Sequence, residues 1–450
     1  MIPTKQFIKG QLRQTIDAME VQGHDVSGAV QEWEQLPDSY DSLIAFAQRV
    51  SKLPMRADWE YVEPLDYAGT EAEMSPLRMR AVVKTDNPGV YAKRVEAAFL
   101  SAVLGCILGK PLEVNPSLAE LKRVGEATGE WPIREFISIP FLDALGRRHD
   151  SWTETVRENI RYVAADDDLH YNVMGMLNLE NHGLGLDCAG VRDTWLNHQS
   201  MNFVWGPERL VTAAIALDHL MKDGGENAKT NEEILQWSAV LNPMNEFCGA
   251  AIRADTYGYA FPGRPDLAAK YAYIDASFTH RRTGVYSTMY IAAAIALMFV
   301  EKDPMKAFED ALLFIPQRSR FHRITSICLG FVRESQSFEE GYARINQRFG
   351  AYDHCKIYQE VGTLINTLKF ASGVWDGVCK QVMQGNDTDS FGCTAGSLLG
   401  AHFGEAPADR LAVFNDEIQI SLASFHEHSL SALAARMGRL PAALLAQENV

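Results

Sequence analysis

Two aspartates and a serine stand at the start of a glycine-rich stretch around residue 390. Asp387 and Asp389 flank Thr388, and Ser390 follows directly. Carboxylate and hydroxyl oxygens are hard ligands, which suit Mg²⁺, Mn²⁺ or Ca²⁺. An aspartate before a helix also fits the ordinary role of an N-cap. The stretch therefore indicates a metal site only if further acids join it.

A second group of acids precedes another helical pattern. Asp166, Asp167 and Asp168 are adjacent, and residues 169–179 are apolar nearly all round. We expect this helix to be buried, so the carboxylates repel one another unless the helix dipole, hydrogen-bond donors or a cation offsets their charge. The alternative is an N-cap followed by solvated acids. The two groups together supply enough carboxylate for two divalent ions about 3.5–4 Å apart.

Two helices with small faces must position these acids. Small residues recur every four positions in both helices: Gly392, Gly396 and Gly400 in one, and Ser101, Gly105 and Gly109 in the other. Residues four apart share one helix face, and each glycine costs roughly 1 kcal/mol relative to alanine. The spacing predicts a closely approaching backbone. Glu113 follows the earlier helix just after Pro111, as either a solvated loop acid or part of the site.

The composition excludes several classes of protein. The chain has 450 residues, is 47% hydrophobic, and carries 42 basic and 58 acidic residues for a net charge of −16. No basic run stands out, so nucleic-acid binding is not expected. The seven cysteines are scattered without a CxxC pair, which argues against a disulfide framework and against a thiolate zinc site: Cys106, Cys188, Cys248, Cys328, Cys355, Cys379 and Cys393.

The hydropathy pattern indicates neither a leader peptide nor a membrane span. The first residues, MIPTKQFIKGQLRQ, lack the apolar run of a signal peptide, and the apolar stretch 290–300 is too short to cross a bilayer. We expect a soluble, cytoplasmic protein with reduced cysteines.

Helical periodicity continues almost without a break from residue 193 onward, and neither β alternation nor a GxGxxG motif occurs. We predict an all-α fold, a large orthogonal helical bundle. Residues 1–85 form a predicted N-terminal helical extension, in which residues 59–79 read as an extended connector. Residues 86–450 form the predicted catalytic domain.

Five segments, in this order, resemble the ADP-ribosylglycohydrolase family. They are GCILGKPLE at 105–113, ADDDLHYN at 165–172, GAAIRADTYGY at 249–259, SFTHRRTGVY at 277–286 and NDTDSFGCTAGSLLGAHFG at 386–404. The second is similar to the family's TDDT-type metal motif, and the last to its GDTDT-type motif and the Gly/Ala helix that follows. The resemblance spans about residues 90–405 and implies the family's all-α fold.

The resemblance implies a role for each matching residue. It implies two divalent ions, Mg²⁺ or Mn²⁺, on six ligands: Asp166, Asp167, Asp168, Asp387, Asp389 and Ser390. Catalytic roles fall on Glu113, Asp167 and Asp168, and substrate-side positions on Gly249, Arg253 and His280. Asp166 stands where a threonine is usual, Ser390 replaces another threonine, and Leu169 lacks the hydroxyl of the motif's last threonine. A register shifted by one would make Asp166 and Asp167 the aspartate pair.

The implied activity is hydrolysis of an N- or O-glycosidic bond of an ADP-ribosyl or related ribosyl group. The substrate would be an ADP-ribosylated protein or a small ribosyl compound. Two alternatives stay open: a catalytically degenerate member that binds ADP-ribose, and a phosphohydrolase or nucleotide hydrolase that uses the same acids. Residues 1–85 have no counterpart in the minimal fold.

Overall fold

The computed structural model describes residues 4–221 and 241–447, and these residues form helices joined by turns, with isolated β-bridges but no β-strand. The prediction of an all-α fold is confirmed. The helices of the N-terminal half are Lys5–Val21, Ala29–Glu34, Tyr40–Val50, Tyr67–Ala72, Ala92–Gly109, Leu118–Thr128, Ile139–Leu145, Trp152–Thr155, Asp167–His182, Cys188–His198 and Gly206–Met221. The later helices are Asp255–Ala260, Pro265–Thr279, Thr283–Met298, Pro304–Ala311, Arg320–Glu334, Phe338–Phe349, Tyr358–Phe370, Val374–Met383, Thr388–Phe403, Ala408–Leu411, Leu430–Gly438 and Leu440–Leu445.

The two helices with small faces, Ala92–Gly109 and Thr388–Phe403, pack directly against each other. A Cβ atom on Gly105 would lie 1.9 Å from the carbonyl oxygen of Gly392, and one on Gly396 would lie 2.1 Å from that of Ser101. Real Cβ atoms do not approach backbone this closely, so only glycine fits. The predicted close backbone contact is confirmed, and it brings the ends of both helices to the acid groups.

Replacing Gly396 with alanine should destabilise the protein, because the added methyl group meets backbone that has no room to move. Overpacking of this kind costs about 1–3 kcal/mol, occasionally more. Gly330 is the matched control, because it lies inside the helix Arg320–Glu334 with nothing within 4 Å of its would-be Cβ. Alanine at Gly330 should stabilise by about 0.5–1 kcal/mol. Urea unfolding measures both, and equal effects would contradict the packing described above.

One helical stretch in the described ranges, Pro88–Leu112, is long and apolar enough to cross a membrane, with a mean hydropathy of 1.6. It is longer than the apolar run that we singled out in the sequence. However, 89% of this window is buried inside the protein, as it is in a core helix of a soluble protein. The stretch includes the helix that packs against Thr388–Phe403.

The first fifty residues build a small core of their own. Ile8, Leu12, Ile16, Leu43 and Phe46 belong to this core, whereas Met74 and Ala81 belong to the large core of the bundle. The division of the chain at residue 85 stays a prediction.

The segment 59–79 wraps over the bundle as a connector with one short helix, Tyr67–Ala72. Tyr286 donates its hydroxyl to the carbonyl oxygen of Pro64 at 2.6 Å, and Tyr273 donates to that of Leu65 at 2.8 Å. Buried Glu63 pairs with Arg320 at 2.9 Å, and Arg320 also pairs with buried Glu246. This network ties the connector to the segment that precedes Gly249.

Candidate functional site

A tight turn places the C-terminal acids. Gly385 and Asn386 have φ angles of 78° and 62°, and the backbone N–H of Asn386 donates to the carbonyl oxygen of Pro116 at 2.8 Å. Thr388 donates its hydroxyl to the carbonyl oxygen of Gly109 at 2.8 Å. Asp387 occupies the N-cap position of the following helix, but its side chain makes no capping hydrogen bond. The simple N-cap interpretation of Asp387 is therefore not what the structure shows.

The first acid group lies against this turn. Asp166 caps the helix Asp167–His182, because its Oδ1 accepts the backbone N–H of Asp168 at 2.9 Å. Ser390 donates its hydroxyl to Oδ2 of Asp168 at 3.2 Å, across 222 positions of sequence. Asp166 and Asp168 are 2% and 1% exposed, so neither is the solvated acid of the alternative interpretation.

A lysine lies in the middle of the acids. The ammonium nitrogen of Lys110 is 2.8 Å from Oδ2 of Asp166, Oδ2 of Asp389 and Oε2 of Glu113. Burial and the negative charge of Asp389 nevertheless raise the pKa of Glu113 to about 9, although Lys110 lowers it. Glu113 therefore carries a proton at neutral pH when no other cation is bound.

The three adjacent aspartates differ in protonation. Burial disfavours the charged form of Asp166, but the Lys110 ammonium outweighs burial and holds the pKa of Asp166 below its usual range. Burial, with repulsion from Asp166, raises the pKa of Asp167 to about 7. Burial and neighbouring carboxylates raise the pKa of both Asp168 and Asp387 well above the usual range. One lysine is thus too little positive charge for this group of acids.

The acid group fits a bound metal. Among the described residues, Oδ1 of Asp168, Oδ1 of Asp387 and Oδ1 of Asp389 are buried carboxylate oxygens without a hydrogen-bond donor. An unpaired buried charge is costly, and coordination of a cation removes the cost. All of these ligands are hard oxygens, as Mg²⁺ and Mn²⁺ prefer.

The acids open into a cleft of ≈300 Å³. Its wall includes Glu113, Asp167, Asp387, Ser390 and Gly249, together with Tyr171, Trp205, Glu208 and Phe247. This volume is at the small end of the range for ligand pockets. A larger cavity of ≈970 Å³ is lined by Trp131, Trp375 and Arg410 and does not include the acids, so we place the chemistry in the smaller cleft.

Of the three predicted substrate-side residues, only Gly249 lies on the cleft wall. Arg253 is 1% exposed, and its guanidinium pairs with Glu208 at 2.6 Å and with Asp275. His280 is fully buried, with Nδ1 3.5 Å from Oε1 of Glu208. Arg253 and His280 therefore lie behind Glu208, and here they support the cleft wall. A direct contact of Arg253 or His280 with substrate stays a prediction.

Sequence reasoning missed Lys110, Glu208 and a pair of cysteines. Lys110 stands three positions before Glu113, a spacing at which helical side chains meet, and this was an available signal. Glu208 follows a turn at the start of the helix Gly206–Met221, and burial raises its pKa to about 7. Cys248 and Cys355 both line the cleft, and no sequence pattern connects them. All seven cysteines are free, as predicted.

Glu360 supports the turn from below and should make stability depend on pH. Its Oε1 accepts the side-chain N–H of Asn386 at 3.1 Å, and burial raises its pKa to about 8 from a usual 4.5. The unfolded chain loses this proton first, so the free energy of unfolding falls as pH rises through this interval. Glu360→Gln should therefore gain stability over the parent between about pH 5 and 8, as measured by urea unfolding. The exposed Glu339→Gln control should show a constant difference, and parallel curves for Glu360→Gln would contradict this account.

An all-α bundle with buried acids at the head of a small cleft defines a class of protein that can hold cations beside a ligand. The family model of ADP-ribosylglycohydrolase matches residues 87–427. The chain therefore belongs to the ADP-ribosylglycohydrolase family. Members are generally hydrolases that use divalent metals, and membership supports a glycohydrolase-type function on substrates that contain ADP-ribose.

One solved structure that resembles the chain is described as an "ADP-ribosylglycohydrolase-related protein complex". Its TM-score is 0.49 and its sequence identity 18%, over 78% of this chain and 98% of that chain. No curated protein matches the sequence.

Proposed function

We propose that this protein is a metal-dependent glycohydrolase that cleaves the C1″ glycosidic bond of an ADP-ribosyl or related ribosyl group. The substrate is an ADP-ribosylated protein or a small ribosyl compound, and the compartment is the cytoplasm. The single observation that carries the proposal is the group of buried carboxylate oxygens without donors, on Asp168, Asp387 and Asp389, beside a ligand-sized cleft.

Six residues would hold two divalent ions, Mg²⁺ or Mn²⁺: Asp166, Asp167, Asp168, Asp387, Asp389 and Ser390. When bound, such ions neutralise the carboxylates and polarise ribose hydroxyls or water. Lys110 supplies one positive charge to the same oxygens, so it moves or shares its partners when the ions bind.

The protein's own residues supply the proton chemistry. Asp167 faces the cleft and would orient or deprotonate the attacking water, with Asp168 as the alternative base beside it. Glu113 lies on the cleft wall next to Lys110, where it can pass a proton to the leaving group. Glycosyl transfer passes through an oxocarbenium-like state, which nearby carboxylates stabilise. Gly249 leaves backbone exposed on the substrate side of the cleft.

The test begins with metal-stripped protein titrated calorimetrically with Mg²⁺ or Mn²⁺ and then with ADP-ribose. Arginine- and serine-linked ADP-ribosyl peptides and small ADP-ribosyl compounds follow, with release of ADP-ribose measured by chromatography. We expect metal-dependent release that falls at least about a hundredfold in Glu113→Gln, the upper range for loss of one general acid or base.

Three other outcomes would contradict the proposal. Release of inorganic phosphate from ADP-ribose would indicate a phosphohydrolase. Binding of ADP-ribose without turnover of any compound would indicate a degenerate member, for which the buried, hydroxyl-free Leu169 would be the reason. Absence of metal binding would mean that the fold is kept without the chemistry.

A further inference from the structure

A second group of metal-ligating side chains lies at the edge of the cleft and takes no part in the proposed hydrolysis. Asp353, His354 and Cys355 are consecutive, and their ligand atoms all lie within 4.8 Å of one another. The short 3₁₀ helix His354–Lys356 presents them, with Oδ1 of Asp353 accepting the backbone N–H of Cys355 at 2.9 Å. His354 and Cys355 both line the cleft.

A second thiol completes the group from a distant part of the chain. Cys248 lines the same cleft, and its thiol is hydrogen-bonded to that of Cys355. The sulfur of Cys248 also lies 3.7 Å from Oδ2 of Asp387. The fold therefore joins two thiols, an imidazole and a carboxylate, although the cysteine spacing in the sequence argued against a thiolate zinc site.

From this cluster we propose that Cys248, His354 and Cys355, with Asp353 as a fourth ligand, bind a thiophilic divalent ion of the zinc type. Two sulfur ligands, one nitrogen and one carboxylate oxygen are a common tetrahedral set for Zn²⁺. Ligands about 2.0–2.3 Å from one ion are roughly 3.5 Å apart, so small side-chain rotations bring these atoms into place. Mg²⁺ and Mn²⁺ prefer oxygen ligands, so the two sites select different ions.

The local electrostatics favour a thiolate ligand. The hydrogen bond from Cys248 is the largest reason why the pKa of the Cys355 thiol lies at about 6, and His354 lowers it further against the effect of burial. Only a thiolate binds zinc well, so Cys355 is prepared for this role at neutral pH.

An ion at this site would tie the segment 353–355 to the segment around Cys248 and Gly249 at the edge of the cleft. We therefore expect Zn²⁺ to inhibit the hydrolysis described above while Mg²⁺ stays saturating. This consequence depends on the proposed function, whereas binding of the ion does not.

Cobalt(II) is the probe that distinguishes the two sites, because thiolate ligands give it an intense charge-transfer absorption that carboxylates do not. The full chain, kept reduced with a phosphine and in excess Mg²⁺, is titrated with Co²⁺. We expect the thiolate absorption to saturate at one equivalent, and Zn²⁺ to displace it. Cys355→Ala and Cys248→Ala should each weaken binding by more than about a hundredfold, because even supporting residues of a metal site contribute 10–100-fold.

Two control variants keep the test specific. Cys379→Ala removes a buried thiol that lines the other cavity, and Asp389→Asn alters the oxygen centre, so both should keep the absorption. Cys355 is only partly buried, so its variant carries the test if Cys248→Ala fails to fold. No thiolate absorption in the parent, or an absorption that persists in Cys355→Ala, would overturn the proposal. Loss of hydrolysis with an intact absorption would refute only the proposed function.

Discussion

Replacing both Asp387 and Asp389 with asparagine should abolish binding of Mg²⁺ and Mn²⁺ and reduce kcat/KM at least about a thousandfold. The asparagine side chain keeps the shape but removes two buried negative charges, each with an oxygen that has no donor. A metal that stabilises charge in the transition state contributes several kcal/mol, and about 4 kcal/mol corresponds to a thousandfold in rate. Calorimetric titration measures the binding, and ADP-ribose release measures the rate.

The matched control removes the same two charges from the surface. Asp38 and Asp409 have side chains that are 82% and 75% exposed and lie outside the cleft. Their double asparagine variant should bind metal and turn over substrate like the parent. If the Asp387 and Asp389 variant kept full activity, the acid group would not be the catalytic centre.

Replacing Lys110 with methionine should make folding depend on divalent ions. The ammonium contacts three carboxylates at 2.8 Å and is itself buried. Removal of one partner from a buried ion pair costs about 3–5 kcal/mol, because the remaining charges lose their compensation. We expect a loss of this size in metal-free protein, as measured by urea unfolding.

Saturating Mg²⁺ or Mn²⁺ should restore much of this stability, because an ion that binds only the folded state stabilises it by mass action. Lys110→Met should also bind the ion more tightly than the parent, since the ammonium no longer competes for Asp166 and Asp389. Lys380→Met is the control, because Lys380 pairs with partly exposed Asp376, and it should cost only about 0–1 kcal/mol. Equal stability of Lys110→Met and the parent without metal would show that Lys110 does not balance the acids.

The network behind Glu208 explains why a predicted binding residue is buried. Arg253 matches a family segment, and from its sequence we expected it to meet a phosphate. In the fold, Glu208 and Asp275 satisfy its guanidinium, and both partners lie far from it in the chain, 45 and 22 positions away. A local motif fixes that an arginine is present, but the competition between phosphate and carboxylate partners is decided by distant residues.

The local features of this protein followed from the sequence because they depend on short spacings. Four-residue repeats of small residues predicted the close contact of Ala92–Gly109 with Thr388–Phe403, and acids before apolar runs predicted charged helix starts. Periodicity also predicted the all-α fold, and five ordered segments identified the family.

Only the tertiary structure decided which charges meet. Lys110 reaches Asp389 across 279 positions, and Cys248 meets Cys355 although no motif links them. Spacing along a helix fixes the face on which a side chain lies, because the backbone repeats regularly. It does not fix the partner across an interface, because that partner depends on how whole helices pack. The sequence by itself therefore determined the acids and their helices, and the packing decided that one lysine balances them.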